Sequence, residues 1–346
     1  MKIKRLELCD YRNFRGRKVI DFTDPLTGEP LRRAVLVGSN GSGKTTVLEA
    51  IAGLVATAGR CAKGMPPAPP HASVTIALRH DEVASPEDVA VASDANHGID
   101  LVFASDGARY EPQHLEDPFE RMADGARTGE SPLRGGVIFF PHTRQLPVHT
   151  SGMVVVPAGA DAWAFQYQAE TRWPASLDAL WVHLDYLDLR ATRSGKGPGR
   201  LAEATHLLRS ALGGGREVVI DPERIRVEVE TPWTEETGQR ARVLLSQLPS
   251  GEQQLALLLG EIARRRRPQA ILLVDEPELG LHPGMQRLLL GILEHLAREL
   301  DWQVILATQS AEIVREVSRR EITYLDYLDE ALLKDEHAET LAEATV

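Results

Sequence analysis

The sequence predicts an α/β fold in which a core sheet flanked by helices carries an antiparallel β lobe and a helical lobe. Three observations predict it. An apolar run, AVLV, ends in the glycine-rich stretch GSNGSGKT, Gly38 to Thr45. A second apolar run ends in two adjacent acids within ILLVDEPE, Ile271 to Glu278. From Leu244, strand-like and helix-like patterns alternate, the signal of an α/β core.

Taken in order, residues 1–37 read as short strands, KIKRLEL, RKVIDF and RAVLV, with turn residues between them. A helix follows from Lys44, with Val47, Leu48 and Ile51 at helical spacing. MPPAPPH, Met65 to His71, reads as a turn-rich linker. The alternating runs SVTIALRH and GIDLVFAS predict antiparallel strands, and VIFF, Val137 to Phe140, predicts a buried strand stopped by Pro141. LDALWVHLDYLDL is an amphipathic helix, separated by GKGPGR from a second one. REVVIDPERIRVEVETPW reads as a hairpin turning at Asp221-Pro222. There follow a strand, LPSGEQQ, a long apolar helix, a strand over Ala270 to Val274, a helix, a strand over Gln303 to Ala307 and a last helix.

Composition narrows the function classes. The 346 residues are 43% apolar and 26% charged, ordinary for a globular protein, and no apolar stretch approaches the roughly 20 residues of a membrane span. The start, MKIKRLELCD, interleaves charged and apolar residues and reads as neither signal peptide nor anchor. Cys9 and Cys61 offer no disulfide framework or metal cluster, which suits a reducing, cytoplasmic setting. A net charge of −11 argues against a surface coated for nucleic acid. Arg264 to Arg267 read either as cations at a helix C-terminus or, with Arg190, Arg193, Lys196 and Arg200, as a groove lining; the plain reading is solvated surface. The acidic residues from Asp326 on read as a solvated helix or frayed end.

GSNGSGKT has P-loop spacing: Gly38, four residues (Ser39, Asn40, Gly41, Ser42), then Gly43, Lys44 and Thr45, with Thr46 next in the helix. Glycines let the backbone curl so that N–H groups converge on a polyphosphate, and the helix adds its positive end. Lys44 brings a point charge to the β- and γ-phosphates, and the Thr45 hydroxyl is placed to ligate Mg²⁺. Asp275 would hold the Mg²⁺ shell and Glu276 would orient and deprotonate an attacking water. ATP and Mg²⁺ are the expected ligands.

DYRNF followed by VIDF resembles the opening strand of ATPases of the RecF, SMC and OLD type. VGSNGSGKTTVLEAI is similar to their P-loop helix, and DEPELGLHP to the extended acidic motif of OLD-like stand-alone ABC-class ATPases. The resemblance covers roughly residues 1–60 and 240–325 and implies a single ABC-type head over 1–346. Within it, 65–135 would form the β-rich lobe, 155–240 the helical lobe and hairpin, and 326–346 an acidic tail. No coiled coil is present, and no Toprim nuclease fits after Ser310. The resemblance further implies that ATP is sandwiched between two copies, each contributing its P-loop to one site and its signature, here Ser250, Gly251 and Glu252 of LPSGEQQ, to the other. Arg12 and Asn13 would lie near the nucleotide, and the Q-loop residue would be Gln145 or Arg144. His282 falls either in the D-loop or at a helix entry. Two positions depart from the family pattern: Pro249 stands where a serine is usual, and Gln309 replaces the switch histidine. A glutamine amide still donates to a γ-phosphate oxygen but carries no titratable charge, so slow or partner-activated hydrolysis is expected.

The expected function is an ATP-driven dimer switch, in DNA repair or in defence against foreign DNA, working with a separate effector protein such as a nuclease. The rivals are a RecF-type repair protein and a non-hydrolysing nucleotide sensor or scaffold. Whether DNA is bound is not readable from the sequence, and no membrane association is expected.

Overall fold

The computed structural model describes residues 1–58, 65–78, 99–105, 107–111, 136–144, 164–166, 177–195, 199–221, 223–224, 226–236, 238–266 and 269–326. Gln145, the turn at Pro222 and the acidic tail beyond Asp326 lie outside these residues.

The centre is a six-stranded sheet in the order β14-β3-β13-β12-β7-β8, parallel throughout. Its strands are β3 (Arg33–Val37), β7 (Val137–Phe140), β8 (Ala164–Gln166), β12 (Ile271–Asp275), β13 (Gln303–Thr308) and β14 (Ile322–Tyr324). The runs VIFF, ILLVD and QVILAT are buried at every position because helices or a second sheet cover both faces. Side chains alternate across the strand, so Ile271 and Leu273 join one apolar core while Leu272 and Val274 join the other. Phe139 and Ile305 likewise face the first core, and Phe140 and Leu306 the second.

The first core is closed by α1 (Lys44–Ala58) and by a five-stranded antiparallel sheet in the order β2-β1-β4-β5-β6. Here β1 is Lys2–Cys9, β2 Arg17–Asp21, β4 Ser73–Leu78, β5 Ile99–Ala104 and β6 Gly107–Glu111. The first two strands, grouped by their sequence position with the core, therefore pair in the same sheet as the predicted β lobe. Ile3, Leu6, Leu8 and Ile20 supply its buried face over α1, a pairing across some seventy residues that local periodicity does not encode.

Gln303 ties the two sheets together. Fully buried at the start of β13, its side chain accepts from Ile3 N–H and donates to the carbonyls of Ile3 and Leu31, at 2.9 Å each. Gln303→Leu strands all three backbone groups and is expected to lower stability by roughly 3 kcal/mol, read from the urea midpoint at unchanged m-value.

The second core holds α2 (Leu177–Arg193), α3 (Arg200–Leu212), α4 (Ser250–Arg264) and α5 (Pro283–Glu299), together with a three-stranded antiparallel sheet of β9 (Glu217–Asp221), β10 (Arg226–Thr234) and β11 (Arg240–Leu244). The hairpin over REVVID and RVEVETPW forms as expected, with Arg226 opposite Asp221. α6 (Ala311–Arg315) follows β13. No helix among the described residues is long and apolar enough to cross a membrane.

The arginine run stands at a helix end, as one sequence reading had it, with Arg264 in the last turn of α4 and Arg265 as its C-cap, but it is not solvated. Arg264 and Arg265 are 1% and 6% exposed and share the buried carboxylate of Glu261, while Arg266 pairs with Glu203. Burial, together with the charge of Arg264, holds the His183 imidazole below its usual range. Arg200 donates to the carbonyl of Arg264. These cations join α2, α3 and α4 and are not a solvated surface, because the end of α4 is covered by the lobe packed on it.

Candidate functional site

Parallel strands place ligand-binding residues at their carboxyl ends, and here several such ends deliver polar groups to one edge. β3 leads into Gly38–Thr45, β12 ends in Asp275 and Glu276, β13 leads to Gln309, β7 to His142, and β14 to Asp326.

The loop after β3 curls back on itself. Gly41 and Gly43 have φ of +87° and +98°, a region that side chains rarely adopt. A Cβ on Gly43 would also stand 2.6 Å from the Phe14 ring. The turn before β2 thus lies against the loop, and the Asn13 amide donates to the Gly41 carbonyl. Arg12 is directed to Glu49 on α1 and lies over the Tyr11 ring. Lys44 is 6% exposed and its Nζ donates to the carbonyls of Gly38 and Ser39 at 2.7 and 2.8 Å. Thr46 is buried, whereas Asn40 is exposed.

Asp326 is exposed but anchored, not frayed. Its carboxylate accepts from the Ser39 N–H at 2.7 Å and the Ser39 hydroxyl at 2.8 Å, anchoring the loop entrance. β14 pairs parallel with β3 and so brings Asp326 to that loop; nothing in the local sequence announces it.

Thr45 Oγ1 donates to Asp275 Oδ2 at 2.8 Å. Asp275 is fully buried, and its Oδ1 has no hydrogen-bond partner. A buried carboxylate oxygen left alone is costly, so the donor set fits a divalent cation beside the curled loop. His142 Nδ1 lies 3.0 Å from the same Oδ2.

Glu276 adopts φ +47°, a left-handed conformation that is strained for a non-glycine residue and is held by its surroundings. Its N–H donates to the Ala307 carbonyl at 2.8 Å. Arg144 supplies the other restraint: Nη1 donates to the Asp275 carbonyl at 2.6 Å and Nη2 to that of Glu276 at 2.9 Å. Arg144 is 4% exposed, with its guanidinium turned onto this backbone, and its own carbonyl accepts from Gln254 of α4 at 3.1 Å. Gln309 Nε2 lies 3.3 Å from Glu276 Oε1, and Glu278 Oε1 accepts from the Gln309 N–H at 2.9 Å.

Ser250 is the first residue of α4, and Pro249 before it makes no side-chain cap. The helix start therefore presents N–H groups that no side chain caps, although Glu252 lies in the first turn. Gly251 is packed so closely on the turn after Asp275 that a Cβ would come within 2.1 Å of the Gly280 carbonyl oxygen. Glu252 accepts from Arg216 at 2.9 Å. His282 caps α5 through Nδ1 and the Gly284 N–H, with Pro283 in the first helical position.

The loop, the acidic pair and Gln309 thus converge on one edge, while Ser250 and Gly251 lie against the turn behind the acids. His142, Glu278 and Asp326 were not singled out from the sequence as site residues. His142 and Glu278 sit inside the stretches FFPHTRQL and DEPE, so their closeness to a motif was a usable signal.

The family model described as "AAA ATPase domain" matches residues 1–97, and that described as "AAA domain, putative AbiEii toxin, Type IV TA system" matches residues 161–315. Among solved structures, the Smc head bound to the C-winged helix domain of ScpA is similar at 16% identity, covering 93% of this chain and 96% of that chain with a TM-score of 0.50. The fold is that of an Smc head, and two AAA ATPase family models match separate parts of the chain. The SMC head domain from Thermotoga maritima aligns to this head at 15% identity, with 94% of each chain covered and a TM-score of 0.49. No curated protein matches the head by sequence.

Proposed function

We propose that the head binds ATP with Mg²⁺ at the carboxyl edge of its parallel sheet, hydrolyses it, and pairs with a second copy around the nucleotide. The observation that carries this reading is the Thr45–Asp275 contact of 2.8 Å at the mouth of the curled loop, with the second Asp275 oxygen buried and unpartnered. The backbone N–H groups of residues 41–46 bind the phosphates, and Lys44 exchanges its two carbonyl contacts for phosphate oxygens. Bound Mg²⁺ supplies charge neutralisation on the β- and γ-phosphates. Glu276 Oε1 accepts a proton from the attacking water, and Gln309 orients that carboxylate and donates to the γ-phosphate. Arg144 and the Ala307 carbonyl hold Glu276 in place. Asn13 supports the loop from the side, and Arg12 is anchored on Glu49 of α1.

The dimer follows from α4. Its uncapped N-terminus, with Ser250 and Gly251 at the tip, suits a γ-phosphate presented by a second copy. Ser250→Arg is expected to abolish ATP-dependent dimerisation while the monomer still binds ATP; size-exclusion chromatography with light scattering, in ATP and without it, reads the first, and a fluorescent-nucleotide titration the second. Retention of the ATP-dependent dimer in that variant rejects the signature role. Steady-state phosphate release by the purified chain tests hydrolysis: no release and a monomer throughout would favour a non-hydrolysing sensor, for which Gln309 in place of a histidine is the favouring observation.

The biological setting we propose is defence against foreign DNA, with DNA repair as the second reading, carried out with a separate effector protein. The family model whose description names a putative toxin of a type IV TA system supports the first, and an Smc head bound to part of ScpA offers a precedent for a protein partner.

A further inference from the structure

His142 is one of the residues on the site edge that the proposed hydrolysis does not use. β7 pairs parallel with β12, Phe140 opposite Val274, so the chain leaving β7 passes beside the end of β12. Pro141 ends the strand, and the next side chain, His142, reaches Asp275 Oδ2 with Nδ1 at 3.0 Å. Thr45 Oγ1 stands 2.8 Å from that same oxygen. Neighbouring ligand atoms in an octahedral shell of about 2.1 Å radius are about 3.0 Å apart, so Thr45 Oγ1 and His142 Nδ1 each stand at ligand-to-ligand spacing from Asp275 Oδ2.

We propose that His142 is a direct ligand of the nucleotide-associated divalent cation, completing a Thr45–Asp275–His142 set that shifts metal preference from Mg²⁺ towards Mn²⁺. The proposal rests on the ATP-site reading above. A second observation points to the cation: the Asp275 side chain is 1% exposed and its Oδ1 has no hydrogen-bond partner among the described residues. The His142 side chain is 45% exposed, open to the edge where the phosphates would lie. Mg²⁺ prefers an all-oxygen shell, whereas an imidazole nitrogen suits transition metals, so one nitrogen in the shell discriminates between them. The competing account is that Nδ1–H only orients the Asp275 carboxylate, as outer ligands commonly do.

Pulsed electron paramagnetic resonance of the full chain with ADP and Mn²⁺ separates the two, because a bound imidazole nitrogen couples directly to the Mn²⁺ spin. The expected result is a ¹⁴N coupling in the wild type that disappears in His142→Ala and in His142→Gln. Fluorescent-ADP titrations in Mn²⁺ and in Mg²⁺ should show the Mn²⁺/Mg²⁺ affinity ratio falling about tenfold in His142→Gln, which keeps an oxygen donor and hence binding in Mg²⁺. Wild-type protein that binds Mn²⁺–ADP without nitrogen coupling overturns the proposal, as does a coupling that survives in His142→Ala. Wild-type protein that binds no ADP with either metal removes the ATP-site reading itself, and this assignment with it.

Discussion

Glu276→Gln is expected to lower ATP turnover about 10²–10⁴-fold while ATP affinity stays near the wild-type value, since a positioned general base is worth that much and its removal leaves the phosphate cradle intact. The structure gives the substitution a sharp meaning. Glu276 is held at φ +47° by the Ala307 carbonyl and the Arg144 guanidinium, both acting on its backbone. The glutamine variant keeps those contacts and the side-chain shape, so the loss reports proton acceptance rather than misfolding. Gln309 Nε2, at 3.3 Å from Glu276 Oε1, would then face an amide in place of a carboxylate. Single-turnover phosphate release with a parallel nucleotide titration checks both halves. Turnover equal to wild type would remove Glu276 from the role of base.

The second large effect is expected at Gly251, which touches no phosphate in its own chain. A Cβ there would lie 2.1 Å from the Gly280 carbonyl oxygen, a backbone atom that no rotamer change can move. Gly251→Ala therefore forces α4 and the turn from Glu276 to Leu281 apart. Two results are expected: a stability loss of about 1–3 kcal/mol from overpacking, and a kcat lower by roughly 10²-fold because the base moves with its turn. Thermal denaturation and single-turnover kinetics measure them separately. A variant with unchanged melting temperature and unchanged kcat would mean that the turn and the helix are not in rigid contact. Ser250→Arg, by contrast, is directed only at the surface offered to the second copy, so the two neighbouring substitutions distinguish packing within one head from contact between heads.

The fold class was legible because its signals are local. AVLV before GSNGSGKT, and ILLV before DE, report strands buried on both faces, and the strand–helix alternation over β12 and β13 reports crossovers, whereas the strand before LPSGEQQ joins the antiparallel sheet. The loop glycines were legible for the same reason: positive φ at Gly41 and Gly43 is a property of a few consecutive residues. Arg264 and Arg265 stand at the end of α4 as the sequence suggested, but their burial was not legible, because a run of like charges looks solvated until the Glu261 carboxylate beneath it, and the lobe packed on it, are in view. Asp326 was read as tail because its partner, Ser39, is nearly the whole chain away.

By itself, then, the sequence determined the kind of core, the phosphate-type loop and the acidic strand end, since each is written in the periodicity and residue types of a short stretch. Only the tertiary structure decided that β1 and β2 close one sheet with β4, β5 and β6, that Arg144 clamps the backbone of the acidic pair, and that His142 stands at Asp275. Those facts depend on strand order. Neighbours in a parallel sheet bring together chain ends more than a hundred residues apart, and no local pattern of side chains records which strand will lie beside which.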